Sequence, residues 1–515
     1  MSSDTKQGEF STLRAIFFPI YRHEIKKFLP MALMMLFILF NYTILRNVKD
    51  SLVVNAKGSD EGIISFLKLY GTTPSAIIFM LIYSKMANIF SREKIFYLCI
   101  TPFLVFFGLF AFVIYPNIES LHPYPETVFN LQSNFPYLKW FISMWGNWSY
   151  CLFYILSELW GSVMVSLLFW QFANEIIRSE EAKRFYPLFG FIGNIGLVMA
   201  GFTVSYFCNT SILNTTDGTD PWQTSLYALM SMIILSGAAI MGLYLYTSRK
   251  IVPTLEPKEA KVKKSKPKLS MLESFKYIFT SPHLLCIAVL VLCYGVTINF
   301  IDVLWKGQVK IYAQGDNNLF AAYMGEFSTT TGIISLVLMI VGGNILRRFS
   351  WKVSACVVPV VMILTSIVFF SAIIYGNGMP ISQPMFTAFG VSFTAVALAT
   401  QIGFWQGAVS KASKYSLFDS TKEMAYIPLD NELKTKGKAA VDVAGGRIGK
   451  SGGALTFSIL QTIFPAATTP SLAPYLAVVA FAMFIAWFFA IGKLSTSLEK
   501  KEEDSKEESL KQVTA

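Results

Sequence analysis

This sequence predicts an all-α fold, a polytopic membrane protein of about twelve transmembrane helices arranged as two six-helix halves. Three observations predict it. Of 515 residues, 54% are hydrophobic and only 15% charged, which is too apolar for a soluble chain of this size. Apolar runs of about 20 residues, enough to cross a hydrocarbon layer ~30 Å thick, recur along the whole length. The net charge of +11 is spread over alternate short loops, a mark of membrane topology and not of a nucleic-acid surface.

The six cysteines form no CxxC pair and no metal-ligand cluster with the three histidines, so free buried thiols are expected and no metal or cofactor is implied. The first residues lack a short apolar core with a small-residue cleavage site, and no removable signal peptide is expected.

Residues 1–27 set Phe10, Leu13, Ile16, Phe17 and Ile20 against Arg14, Arg22, Lys26 and Lys27, the pattern of an amphipathic segment on the cytoplasmic membrane surface. The first half follows at 28–247. Span one ends in NYTILRNVKD, with Arg46, Lys49 and Asp50 at its far end, and spans two and three flank a basic loop at Ser91 to Lys94. After a loop from Pro116 to Trp140, the fourth apolar run (Phe141 to Phe172) carries one carboxylate, Glu158, in YILSELWGS. The loop IIRSEEAKRFYP precedes GFIGNIGLVMAG in span five, and span six runs from Ser225 to Tyr246.

A Lys- and Pro-rich cytoplasmic linker, 248–280, divides the chain near its midpoint. The second half, 281–494, holds spans at 284–304, 319–345, 353–375, 384–409, 439–465 and 472–493. The charged tail, 495–515, is expected to be disordered. One set of loops carries Arg92, Lys94, Arg178, Lys183, Arg184, the linker, Arg347, Arg348, Lys352, Lys434, Lys436 and Lys438. The opposite set carries Glu119, Glu126, Asp217, Asp220 and Asp316, so both termini are expected in the cytoplasm.

Sliding the chain against itself gives matches at an offset of 256 to 257 residues. YGTT at Tyr70 falls on FSTT at Phe327, Arg92 on Arg348, and Lys49 on Lys306. GFIGNIG at Gly190 falls on GRIGKSG at Gly446, keeping all three glycines. Two halves of like orientation, related by an axis along the membrane normal, are the major facilitator architecture, with a solute site between the halves near the midplane. Where Phe191 and Asn194 stand in one half, Arg447 and Lys450 stand in the other.

The segment AGGRIGKS at Ala444 falls one glycine short of a phosphate-cradling loop, and no strand precedes it. Close helix packing is the reading of its glycines; it leaves Arg447 and Lys450 to be explained. Arg46 and Lys49, three apart, share a helix side, as do Arg447 and Lys450. With Lys306 they outnumber the two candidate carboxylates, Glu158 and Glu326, and the missing anion is read as the substrate. Bland readings stand beside this one. Arg46, Lys49 and Lys306 also fit snorkelling at span ends, Glu158 fits an ion pair that locks helices, and Glu326 fits a polar residue at a span start. Asp419, Lys422 and Glu423 fit gate or loop pairs, and Trp160, Trp305 and Trp405 fit packing or a lipid belt.

At NYTILRNVKD, SELWGS, LFDSTKEMAYIPL and KGKAAVDV...GKSGG the chain resembles the non-mitochondrial ATP/ADP translocases, the nucleotide transporters of obligate intracellular bacteria and plastids, and among them the bacterial exchangers. The resemblance covers essentially the whole chain. It implies import of external ATP in exchange for ADP, with phosphate left open as a companion, and essential membrane charges at Lys49, Glu158, Glu326 and Lys450. A non-enzymatic antiporter of a bacterial inner membrane is therefore expected. Arg46, Lys49, Lys306, Arg447 and Lys450 would hold nucleotide phosphates; Glu158, Glu326, Asp419 and Lys422 would pair or gate. No nucleic-acid partner is expected, and a monomer in the bilayer fits. The alternative is a proton-coupled transporter of other nucleotides or another anionic solute.

Overall fold

The computed structural model describes residues 19–209, 220–254, 281–377, 383–388, 391–426 and 446–514, with single positions between them. The described residues form twelve long helices. The first half contains α1 (Ile25–Val54), α2 (Ile63–Ile89), α3 (Arg92–Leu121), α4 (Trp148–Ile176), α5 (Ser179–Phe207) and α6 (Pro221–Ile251). The second contains α7 (Pro282–Tyr312), α8 (Asn317–Arg348), α9 (Trp351–Gly376), α10 (Ala395–Ser413), α11 (Gly446–Ile463) and α12 (Ala473–Thr514). Ten of the twelve are long and apolar enough to cross a membrane by composition alone. The two others are α10, which continues through Lys414–Phe418 and Asp419–Ala425 with four charges on the way, and the glycine-rich α11.

Side-chain caps start helices in both halves. Ser91, Asp220, Ser281, Asp316, Ser350 and Thr394 each accept a bond from a first-turn backbone N–H, which satisfies a donor that the helix itself leaves open.

Three details differ from the expectations above. A short antiparallel hairpin, β1 (Pro384–Ala388) and β2 (Val391–Thr394), precedes α10, so span ten begins at Ala395 and not at 384. The last helix runs on to Thr514 instead of fraying after 494, because the tail's Glu and Lys residues recur at helical spacing. The amphipathic segment contributes its last residues to α1, while residues 1–18 lie outside the described ones, as does most of the 248–280 linker.

The repeat is visible as packing. Gly193 of α5 leaves room only for Met35 and Leu39 of α1, and Gly449 of α11 sits the same way on Val291 and Gly295 of α7, each partner shifted by the same 256 positions. A Cβ on Gly196 would lie 2.5 Å from the Leu36 carbonyl oxygen. These glycines draw α5 onto α1 and α11 onto α7, which is the close helix approach that small residues permit in a membrane. The same offset places Asp50, and not Lys49, opposite Lys306.

The halves are joined at the end remote from the linker. Ser51 Oγ donates to the Asn317 carbonyl at 2.9 Å, Asn55 Nδ2 to Asn317 Oδ1 at 3.1 Å, and Ser328 Oγ to Asn47 Oδ1 at 3.1 Å. Lys310 Nζ donates to the Ser59 carbonyl at 2.8 Å. Ion pairs at the linker end stay inside one half: Lys27–Glu181 and Arg184–Glu24, both 2.5 Å, and Arg249–Glu93, 2.8 Å.

Candidate functional site

Four helices, α1 and α4 from the first half and α7 and α10 from the second, bring six charges into one line. Glu158 pairs with Lys49 at 3.0 Å, Lys49 with Asp50 at 2.7 Å, and Asp50 with Lys306 at 2.9 Å. Lys306 pairs in turn with Asp302 at 2.6 Å, and Asp302 with Lys411 at 3.1 Å. Only the Asp50–Lys306 bond crosses between the halves in this line, and its two residues occupy equivalent positions of the repeat. The Lys49 ammonium also lies 3.8 Å from the centre of the Tyr154 ring, an attraction that strengthens away from water.

Burial is graded along the line. Side chains of Lys49, Asp50 and Lys306 are 2%, 1% and 5% exposed, whereas Glu158 is 23% and Lys411 20% exposed. Asp50 is four residues from the end of α1, about 6 Å at the helical rise. The line therefore lies near the end where the halves are joined instead of at the midplane, and its outermost members, Glu158 and Lys411, are less buried than its centre. Arg46 and Tyr42, both half-buried, lie one and two turns further from that end along α1; Arg46 is near enough to Lys411 to repel it, and Tyr42 is close to Tyr415 of the other half.

Three lysines and three carboxylates balance. The expectation that Glu158 and Glu326 face a large surplus of cations is corrected by Asp50 and Asp302. Two further cations lie close enough to act on this line, Arg46 and Lys68, and neither forms an ion pair among the described residues. Lys68 acts on the same groups from α2.

Glu326, expected beside these cations, is not brought to them. Its neighbours on α8 fix the phase: Phe327 packs on Trp305, their ring centres 4.5 Å apart, and Ser328 binds Asn47, which turns Glu326 to the exposed flank. Asp419 pairs with Lys414 at 2.9 Å, one turn back, and Lys422 approaches Glu423 at 3.7 Å. Arg447 and Lys450 are on the first turns of α11, and their side chains lie outside the described residues. Trp160 and Trp305 are buried, their indoles donating to Ile38 and Thr400 carbonyls, while Trp405 is 56% exposed on the lipid side.

Sequence reasoning missed Asp302, Lys411 and Lys68. A usable signal existed for two of them: Asp302 and Lys306 are an i,i+4 pair inside an apolar run, and Lys411 interrupts another.

Outside the membrane spans, the turn after α1 supports the seal. Glu61 is 6% exposed and rests against Gly307, where a Cβ would lie 2.5 Å from its Oε1. Burial, with the charge of Asp60 adding, pushes the Glu61 carboxyl up to about 7.

Twelve helices in two like halves, joined at one end by charges from the inner helices, define a polytopic membrane protein of major facilitator-like fold. Solved structures agree on the fold. A bacterial homologue of the iron transporter ferroportin in an inward-facing state superposes with a TM-score of 0.58 at 11% identity, over 92% of this chain and 100% of that one. A POT family transporter in complex with 5-aminolevulinic acid gives 0.54 at 12% identity, over 90% and 96%.

The particular family follows from the sequence match. The chain belongs to the TLC ATP/ADP transporter family, whose profile matches residues 3–498. The ADP,ATP carrier protein 1 of Chlamydia muridarum is 44% identical over 520 residues, 100% of this chain and 96% of the relative. That of Rickettsia bellii is 42% identical over 498 residues, 96% and 98% of the two chains. The chloroplastic carrier 1 of Arabidopsis thaliana is 43% identical over 486 residues, 94% and 76%.

Proposed function

We propose that this chain is an ATP/ADP antiporter of a bacterial inner membrane, which takes up external ATP and releases internal ADP by alternating access of its two halves, with both termini in the cytoplasm. The observation that carries the reading is the buried Asp50–Lys306 bond between the halves, embedded in a line of three lysines and three carboxylates, in a member of a family whose relatives are named ADP,ATP carriers.

A phosphate chain entering between the halves from the linker end meets Arg46 and Lys68 first, two cations beside the line that form no ion pair among the described residues. It then competes with Glu158 for Lys49 and with Asp302 for Lys411 and Lys306. Each lysine taken by a phosphate oxygen releases a carboxylate, and loss of the Asp50–Lys306 bond unlocks the sealed end. Arg447 and Lys450 belong to the same proposed set, one turn apart at the start of α11. Glu158 serves as the stand-in anion for Lys49 when no nucleotide is bound.

The line also explains why exchange would be obligatory. Opening the sealed end without cargo breaks a buried pair and leaves its members uncompensated, which costs about 3–5 kcal/mol. Phosphate oxygens compensate the lysine side of that pair in either direction of travel and so lower the cost, and the loaded carrier turns over while the empty one stalls. The nucleotide crosses unchanged: no bond is made or broken. In proteoliposomes, labelled ATP should enter only when ADP or ATP is loaded inside. Equal uptake into empty vesicles, or hydrolysis of ATP by the purified protein, would overturn the reading.

A further inference from the structure

On the flank of the molecule, where α5 of the first half meets α8 and α10 of the second, lies a cavity of about 500 Å3. Its walls carry Glu326, Thr330 and Gln401 among the rings of Phe202, Tyr323 and Trp405. Phe202 is 60% and Trp405 56% exposed, so on membrane-spanning helices the mouth opens to lipid. Glu326 is exposed as well and forms no ion pair among the described residues. An acidic group facing hydrocarbon is expensive and calls for a partner.

The chemistry of the walls selects that partner. A carboxylate ringed by aromatic faces recognises an ammonium group, since the rings attract a cation within about 6 Å of their centres. The Gln401 amide and the Thr330 hydroxyl supply donors for an oxyanion next to that ammonium. Depth fits a lipid headgroup. Glu326 is nine residues into the 32-residue α8, so it lies about 10 Å from the helix middle, about 5 Å inside the edge of a hydrocarbon layer ~30 Å thick centred there, within reach of a headgroup drawn into the cavity. It is on the sealed side of that middle.

We propose that this seam pocket binds the headgroup of a phosphatidylethanolamine molecule from the leaflet at the sealed end, its ammonium on Glu326. Phosphatidylglycerol, anionic, is repelled by the carboxylate, and a choline headgroup has no N–H to donate to it. The occupant touches both halves, because Phe202 and Ser205 stand on α5 and the other walls on α8 and α10. Ser205 of α5 bonds the Ala322 carbonyl of α8 at 3.0 Å beside the pocket, and Gly201 meets Gly325 there. A lipid in place therefore clamps the seam in the state with this end sealed. The inference does not depend on which solute is carried.

The test is lipid retention by the purified full chain, measured by native mass spectrometry from nanodiscs of phosphatidylethanolamine and phosphatidylglycerol in equal amounts. The wild type should keep phosphatidylethanolamine roughly tenfold over phosphatidylglycerol, as expected for a desolvated cation–π contact with a charge partner. Glu326→Gln should lose that preference, and Glu326→Asp should keep part of it. Should Glu326→Gln fail to fold, Trp405→Leu retains the carboxylate and should weaken the preference by itself. Equal retention of the two lipids by the wild type, an unchanged preference in these variants, or displacement by free ethanolamine at matching concentration would overturn the assignment.

Discussion

Replacing Asp50 by Asn tests the seal at its narrowest point. Asp50 holds Lys49 at 2.7 Å and Lys306 at 2.9 Å while 1% exposed, so the substitution removes one charge from a balanced set without changing its volume. Removing one partner of a buried pair costs about 3–5 kcal/mol. Here each lysine keeps a second carboxylate, Glu158 at 3.0 Å and Asp302 at 2.6 Å. The lower figure therefore applies, and the sealed state should lose about 3 kcal/mol, or roughly a hundredfold in its population relative to the state open at that end. Ser51 and Asn317 are hydrogen-bonded across the seam at 2.9 Å; cysteines placed at both, in a chain whose native cysteines have been replaced, report the seal through disulfide cross-linking. The yield should be high in the parent and fall steeply with Asp50→Asn. Adding Lys306→Gln should restore much of it, because the pair is then neutral on both sides. A parent-like yield and rate with Asp50→Asn alone would refute the role given to this bond.

Other outcomes follow from the same structure. Lys450→Gln should reduce ATP/ADP exchange in proteoliposomes at least tenfold while the protein still inserts, a loss matching one charge-assisted phosphate contact of about 1.5–3 kcal/mol. Gly196→Ala should destabilise the fold by about 1–3 kcal/mol, since its Cβ meets backbone and not a flexible side chain, and this is read as a lower melting temperature in detergent. For Glu61, the sealed state holds the carboxyl near 7 against an ordinary 4.5 once hydrated. Sealing is thus unpenalised below about 4.5, increasingly penalised as pH rises, and fully penalised above about 7. Cross-linking between positions 51 and 317 should fall as pH on that side rises through this range, and Glu61→Gln should flatten the dependence.

The twelve helices, the two halves and the offset between them were legible because a membrane imposes length, apolarity and loop charge on every span at once. Lys49 and Glu158 were legible for the same reason, as charges where hydrocarbon discourages them. The partners were harder to see. A match of Lys49 with Lys306 at 257 positions and one of Asp50 with Lys306 at 256 look equally good in the sequence, yet one residue is a turn of about 100° on a helix. The glycine contacts of α5 on α1 and of α11 on α7 choose 256 and reveal opposite charges bonded across the axis. Glu326 shows the converse: its residue type and location suggested the interior, but the phase of α8, set by Phe327 and Ser328, turned it outward. The polar character of Ser416 to Ala425 suggested a loop, whereas its charges pair within the helix, as Lys414 does with Asp419.

The most direct test of the account is whether nucleotide opens the sealed end. Spin labels at the exposed Glu126 of the first half and Gln314 of the second report the separation of the halves there by pulsed electron resonance. Without nucleotide a single short distance is expected, and ATP or ADP should add a second, longer population that Lys450→Gln suppresses. A distribution unmoved by nucleotide, or one already long in its absence, would contradict the claim that phosphate oxygens release the lysine–carboxylate line.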